Sequence, residues 1–348
     1  MADRSRILSM AGGALLLLVG TLALLPTPYD PAEQVDPRVG RYRPPGTRLV
    51  EIHPADGFVR LADSVEVRGD VLVLHWRHNE DEIPVAQITN LEDGRVLDHR
   101  FYLLGSDKFG RDVLSRVLVG ARISLLIGLL AVLIAATLGL AIGSAAAIAP
   151  PWADMVLMRG VDALMSFPQL FLIIALAALF RPSTSFVIVL LGCTSWMGIS
   201  RLARAEILSL GQREFVLASR AVGQRPLGIL LRHQLPNALT PVVVSAALLV
   251  GNLILAEAAL SFFGLGVQPP TPSWGNMITE GREAMTDAWW VAFFPGLAIA
   301  LTVIAFNLLG DGLRDVLDPR KRTVRAAGAD ETPAAVLDAD DLARLRRP

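Results

Sequence analysis

Cysteine is almost absent: Cys193 is the single one among 348 residues. That excludes an intramolecular disulfide and a cysteine-based metal cluster, and its place in an apolar run predicts a small buried side chain. Net charge is equally scarce, −1 at pH 7, which argues against a chain that binds nucleic acid as a whole. The distribution of charge then carries more information than its sum. Catalytic signatures are missing too. No GxSxG elbow, no HExxH spacing and no GxxxxGK[ST] loop occurs, so an enzyme active site has no support and no cofactor or metal site is expected in this chain.

Apolar surface is what the chain has in excess. It is 53% hydrophobic with a mean hydropathy of +0.48, values that point to an all-α polytopic membrane protein in a lipid bilayer. Six runs can cross: residues 7–25, 123–148, 156–179, 186–199 extended to Leu202 with Arg201 snorkelling, 241–260 and 290–309. Gly128, Gly139 and Gly143 in the second run predict close helix contact. The first run follows Arg4 and Arg6 and has no small-x-small site before Pro26 and Pro28, so it reads as an uncleaved anchor over residues 1–25 with a cytoplasmic N-terminus.

Residues 26–103 are charged, proline-rich and free of any spanning run. Val65 to Arg68 and Val71 to Leu74 flank Gly69-Asp70, a hairpin signal, and stretches 58–61 and 95–103 are candidate partner strands. A small β-rich extracytoplasmic insertion is expected, with residues 26–45 disordered. Six crossings from an inside start return both termini to the cytoplasm. The basic residues agree: Arg201, Arg204, Arg213, Arg220, Arg225 and Arg232 surround the loop 206–237, and Arg320, Lys321, Arg322 and Arg325 open a tail over 321–348. That tail receives no function, although a short helix fits residues 338–346. Trp274, Trp289 and Trp290 are placed in an interfacial belt.

Within the loop, residues 214–237 form a polar island between apolar runs. Glu214 opens a short helix where the dipole favours an acid, and Gly223 is the expected left-handed residue after it. Pro226 can open a second helix, which Pro236 is expected to stop. So short a first helix is marginal in water, so a partner must dock on it. Elsewhere, Asp162 inside the third run needs pairing, and Arg159 one turn earlier is the near partner; a pathway role is the alternative. Glu257 in the fifth run has no neighbouring cation and is expected to reach water or an adjacent helix. His233 reads as structural. Gly105, Ser106, Asp107, Gly110, Arg111 and Asp112 read as a turn, capped by Ser106 or Asp107, that leads into a helix.

Three stretches together resemble permease subunits of bacterial ABC importers, and in particular the oligopeptide/dipeptide branch. In the island, an E-A-A triplet falls on Leu217, Ala218 and Ser219, its glycine on Gly223 and its leucine-proline pair on Leu235-Pro236. GSDKFGRDVLSR at 105–116 and LAEAALSFFGLG at 255–266 match the same branch. The resemblance covers residues 104–320 and the first run. It implies the type I importer permease fold, a bacterial inner-membrane location and one half of a pathway for peptides; nickel chelates, glutathione or another small solute are the alternative cargoes. It also implies a second homologous permease, two ABC ATPase subunits that hold ATP and Mg, and an extracytoplasmic substrate-binding protein. Glu214, Phe215, Leu217, Ala218, Ser219, Gly223, Leu235 and Pro236 would form the ATPase-coupling contact. Leu217 and Ser219 depart from the triplet; Glu214, on about the same helix face as Leu217, is the available acid. The insertion is longer than the branch usually carries. A reading of another class, a membrane-anchored receptor or scaffold, would leave the work to the insertion.

Overall fold

The computed structural model of the chain describes residues 2–92, 95–96, 98–181 and 183–317. The tail 321–348 and its expected helix lie outside the described residues. An N-terminal helix α1 (Ala2–Leu24) leads to a short α2 (Pro37–Gly40) and then to strands β1 (Thr47–Ile52), β2 (Arg60–Ala62), β3 (Ser64–Arg68), β4 (Val71–Trp76), β5 (Asn79–Pro84), β6 (Leu91–Glu92), β7 (Arg95–Val96) and β8 (His99–Tyr102). Helices follow: α3 (Val113–Ile148), α4 (Pro151–Met165), α5 (Gln169–Leu179), α6 (Thr184–Leu210), α7 (Glu214–Ala221), α8 (Pro226–Ile229), α9 (Leu235–Phe262), α10 (Trp274–Arg282) and α11 (Trp290–Leu317).

Among the described residues, four helical stretches are long and apolar enough to cross a membrane: Val113–Ile148, Thr184–Leu210, Pro226–Phe262 and Trp290–Asp315. The third apolar run is not one straight helix. α4 and α5 meet at an 83° bend, because Pro168 disfavours helical backbone at Phe167 and cannot donate an amide hydrogen itself. Counting the bent pair as one gives five, and the apolar stretch Met10–Leu24 of α1 is shorter.

Small residues let the helices close up. α3 runs against α6 along Gly139 and Gly143; a Cβ at Gly139 would lie 2.7 Å from Ile199 Cβ, and one at Gly143 would strike the Ser200 carbonyl oxygen. Such near-backbone contact is how helices associate where no water drives them together. The central core gathers Ile127, Ala131 and Val132 of α3, Leu190 and Leu191 of α6, Val250 and Ile254 of α9, and Ile299 and Phe306 of α11. Arg122 on α3 donates to the Ala23 and Leu25 carbonyls, a cation at the C-terminal end of α1.

Residues 47–102 hold the strands. β3 and β4 pair antiparallel, Arg68 opposite Val71, across the Gly69-Asp70 turn, and β5 completes that sheet in the order β3-β4-β5. A second sheet has the order β2-β1-β8, and Ile52, Ala62, Leu72, Leu74 and Ile83 form a core that draws on both. Arg100 is buried between Glu51 (2.9 Å) and Glu33 (3.1 Å) and lies over the Tyr29 ring. Burial disfavours its charge, but the hydrogen bond and charge of Glu51 outweigh that and hold its proton more tightly than usual.

Several expectations are corrected. Residues 26–45 are ordered: Val35 and Val39 are buried with Leu49, Leu61 and Tyr102, and Asp36 accepts a hydrogen bond from the Leu61 amide. Trp274 and Trp290 are buried rather than interfacial, donating their indole hydrogens to the Val117 and Ser106 carbonyls, while Trp289 is exposed. Cys193 is exposed on α6. The helix that carries the 123–148 run begins ten residues before it, at Val113.

Overpacking the α3–α6 seam is expected to lower stability by about 1–3 kcal/mol. Gly143→Leu should show a lower melting temperature in detergent than the parent chain. Gly198→Leu, whose added atoms enter open space, should melt close to the parent, and equal melting of both variants would contradict the seam.

Candidate functional site: a short helix at one end of the bundle

α6 ends at Leu210, and the chain turns through Gly211 to Arg213 before α7 begins at Glu214. At the far end of α7 the Gly223 amide donates to the Arg220 carbonyl (2.9 Å) and the Gln224 amide to the Ser219 carbonyl (3.2 Å). This pair of bonds is the Schellman closure, and it needs a left-handed residue at Gly223, whose φ is +79°. No atom lies where a Cβ would stand at Gly223, so backbone conformation rather than space demands the glycine.

α7 is held on one face and free on the other. Val216 is fully buried and Ser219 nearly so, whereas Phe215, Leu217 and Val222 are 44%, 49% and 80% exposed. Glu214 and Ala218 are exposed beside them. The Phe215 ring meets His233 edge-on at 6.4 Å, which agrees with a structural His233. Across from α7, Gln234 is buried and donates to the Ile207 carbonyl at 3.1 Å, tying the return limb to α6.

The second island helix does not stop at Pro236. Pro226 opens α8 as expected, but the chain then passes through a π-turn at Leu230–Gln234 directly into α9, one helical path from Pro226 to Phe262. The Leu235 amide reaches the Leu230 carbonyl, five residues back, and this wider turn makes room for a proline that would otherwise clash with the preceding turn. Leu235 is half-buried and Pro236 exposed.

The 105–116 stretch lies at the opposite end of α3 and is far more than a turn. Asp107 accepts from the Phe109 and Arg111 amides (2.8 and 3.0 Å) and from Arg111 Nε (2.6 Å), and it pairs with Arg116. Glu280 on α10 takes both arginines, Arg111 at 2.7 Å and Arg116 at 2.8 Å. All four side chains are largely or fully buried, and charges removed from water in this way hold only when each has a partner. Asp112, not Ser106 or Asp107, caps α3, accepting from the Ser115 amide at 2.7 Å. Gly105 and Gly110 adopt positive φ in the same loop. The stretch therefore fastens α3 to α10 and, through Trp290, to α11.

Of the polar residues in the apolar runs, Asp162 meets Arg201 of α6 at 3.8 Å, not Arg159, and both partners are half exposed. Glu257 is fully buried and, of its two expected alternatives, takes the adjacent helix: its Oε1 accepts from Ser261 (2.7 Å) and from Ser273 (2.9 Å), the residue that caps α10. Two contacts had no signal in the sequence. Glu280 lies more than 160 residues from the arginines it binds, and Asp154 on α4 forms a two-pronged pair with Arg204 on α6 at 2.6 and 2.5 Å. Among the described residues no group of His, Cys, Asp and Glu could hold a metal ion.

Comparison with known proteins adds what geometry cannot. Residues 137–323 match the model of the binding-protein-dependent transport system inner membrane component family. Over 222 residues the chain is 47% identical to a putative peptide transport system permease protein of Brucella suis, covering 63% of this chain and 74% of that one. It is 43% identical over 219 residues to a di/tripeptide transport system permease protein of Pseudomonas aeruginosa (63% and 72% covered). It is 46% identical over 231 residues to a glutathione transport system permease protein of Escherichia coli (66% and 75% covered). A solved chain of the MetNI methionine ABC transporter aligns with a TM-score of 0.47 at 20% identity, covering 58% of this chain and 96% of that one. The matched residues run from the middle of α3 through α11 and include the short helix with its glycine turn, and on that ground the chain belongs to the inner-membrane components of binding-protein-dependent transport systems.

Proposed function

We propose that the chain forms one half of the membrane pathway of an ATP-driven importer for peptides, glutathione included, and that α7 is its contact with an ATPase. The observation that carries this reading is the exposure of Phe215, Leu217 and Val222, apolar side chains left uncovered around a short helix that its own chain buries only along Val216 and Ser219. The relatives named as peptide and glutathione permeases support the cargo class. ATP and Mg²⁺ belong to two partner ATPase subunits, a second homologous permease completes the pathway, and a substrate-binding protein delivers cargo from outside.

The topology of this reading has six crossings, with α1 and the bent α4–α5 pair counted as one each. Contacts within the bundle support it. The loop 105–112, α10 and Trp290 meet at one end of α3, while the end of α6, α8 and Gln234 meet near Ile148 at the other. An odd number of crossings between these ends keeps the insertion and α10 outside and the island inside, where its arginines belong.

Coupling then follows from rigidity. ATP shifts the two-state equilibrium of its ATPase only by differential affinity, and the shift reaches the pathway if α7 moves as one body with the spans. Leu217 replaces the acid of the family triplet, so the contact at that position is apolar, and Glu214 supplies the charge one turn earlier.

Gly223→Val is expected to insert normally but to lose substrate-stimulated ATP turnover and uptake, since a β-branched side chain in a left-handed backbone costs on the order of 1–2 kcal/mol. Gly223→Asn, which tolerates that backbone, should retain most of both. Normal uptake by the valine variant would sink the coupling role. For the insertion we propose docking of the substrate-binding protein. Replacing the exposed Phe58, Val67 and Phe101 by serine, which leaves both cores of the insertion in place, should weaken binding-protein affinity about tenfold or more, the cost of at least one interface anchor. Unchanged affinity and uptake would remove the docking role.

A further inference from the structure

A cavity of about 410 Å³ opens behind α7, lined by Ile148 of α3, Ile207, Leu208 and Gly211 at the end of α6, Arg220 of α7, and Gln234 of the π-turn. Its size falls within the range of small-ligand sites, about 300–1,000 Å³. The lining divides by chemistry. One wall is aliphatic, and Ile148 and Leu208 continue onto the outer surface of their helices, where they are 40% and 42% exposed. The other wall is polar, with Gln234 buried and its amide nitrogen already committed to the Ile207 carbonyl.

The charge at the cavity comes from Arg220, an exposed residue on its rim. Its guanidinium reaches the Gly211 side, where Nη2 lies 3.5 Å from the position a Cβ would take, next to Gln234 Nε2 at 3.4 Å. Among the described residues Arg220 has no ion-pair partner, although Arg204 on the neighbouring helix is matched by Asp154. An unmatched cation at the mouth of a cavity half lined by hydrocarbon suits an anion with an apolar portion.

We propose that this cavity binds the phosphate-bearing headgroup of an anionic phospholipid, with Arg220 on the phosphate and the lipid's acyl portion lying along Ile148 and Leu208. The site sits where α3 and α6 end, so it rests on those two helices crossing the bilayer. A free phosphate shares the charge but has no use for the aliphatic wall. A lipid held here would brace α7 against α6, so that membrane composition would tune coupling.

The test is a titration of the delipidated full-length chain in detergent, read by native mass spectrometry, with phosphatidylglycerol, phosphatidylcholine and inorganic phosphate. Because no ATPase is present, the outcome is independent of the transport reading. One saturable phosphatidylglycerol per chain is expected, with no comparable phosphatidylcholine retention. Arg220→Gln should weaken it about fivefold, the size of one arginine at an anionic surface. Gly211→Leu keeps every charge but fills the cavity, its backbone being helical at φ −59°, and should abolish the bound lipid. Arg213→Gln, on a residue outside the lining, should stay close to the parent. Equal weakening by Arg213→Gln, undiminished binding in Gly211→Leu or Arg220→Gln, or displacement of the lipid by millimolar inorganic phosphate would overturn the proposal.

Discussion

The left-handed turn at Gly223 is the constraint on which the coupling account depends. It closes α7 with two backbone bonds and reverses the chain into the helical path from Pro226 to Phe262. A loose linker there would let a docked partner move without consequence for the spans. The return limb adds stiffness through a π-turn that admits Pro236 without breaking the helix, and Gln234 fastens that limb to α6. The short helix is thus tied at one end to α6 and at the other, through α8 and the π-turn, to α9.

At the other end of the bundle the physics is different. Asp107, Arg111, Arg116 and Glu280 form a buried set of mutually matched charges, and removing one member would leave an uncompensated charge in a dry site. Such a set specifies geometry more than it adds stability. It joins α3, α10 and, through Ser106 and Trp290, α11 beneath the insertion, whose Tyr102 reaches the Gly110 carbonyl at 2.8 Å. The strands therefore rest on the loop that holds this buried set, while α7 stands at the end with an open cavity and exposed apolar side chains.

Local patterns were legible in the sequence, and tertiary ones were not. The Gly69-Asp70 hairpin, the Gly223 turn, Pro226 at a helix start and the small-residue contacts of α3 each depend on a few adjacent residues. β5 carries no strand pattern of its own, because Glu80, Asp81 and Glu82 are charged in succession; the cross-strand pairing with His75, Leu74 and Val73 makes it a strand. Order in residues 26–45 escaped because Val35 and Val39 find their partners in Leu49, Leu61 and Tyr102. Asp162 pairs across helices with Arg201 rather than along its own with Arg159. Spacing favours the near partner and cannot see the far one. For Glu257 the sequence left water and an adjacent helix both open, because Ser273, its distant hydrogen-bond donor, lies beyond its own helix.

The contact between α7 and an ATPase is the centre of this account, and a site-directed cross-link tests it most directly. With the exposed Cys193 replaced by serine, Leu217→Cys and Val222→Cys, both at exposed positions, would be oxidised against cysteines placed in the ATPase of the assembled transporter. The account predicts a cross-link from both positions, and none from Val216→Cys, whose side chain is buried. An ATPase that assembles with the chain yet cross-links from neither exposed position would contradict it.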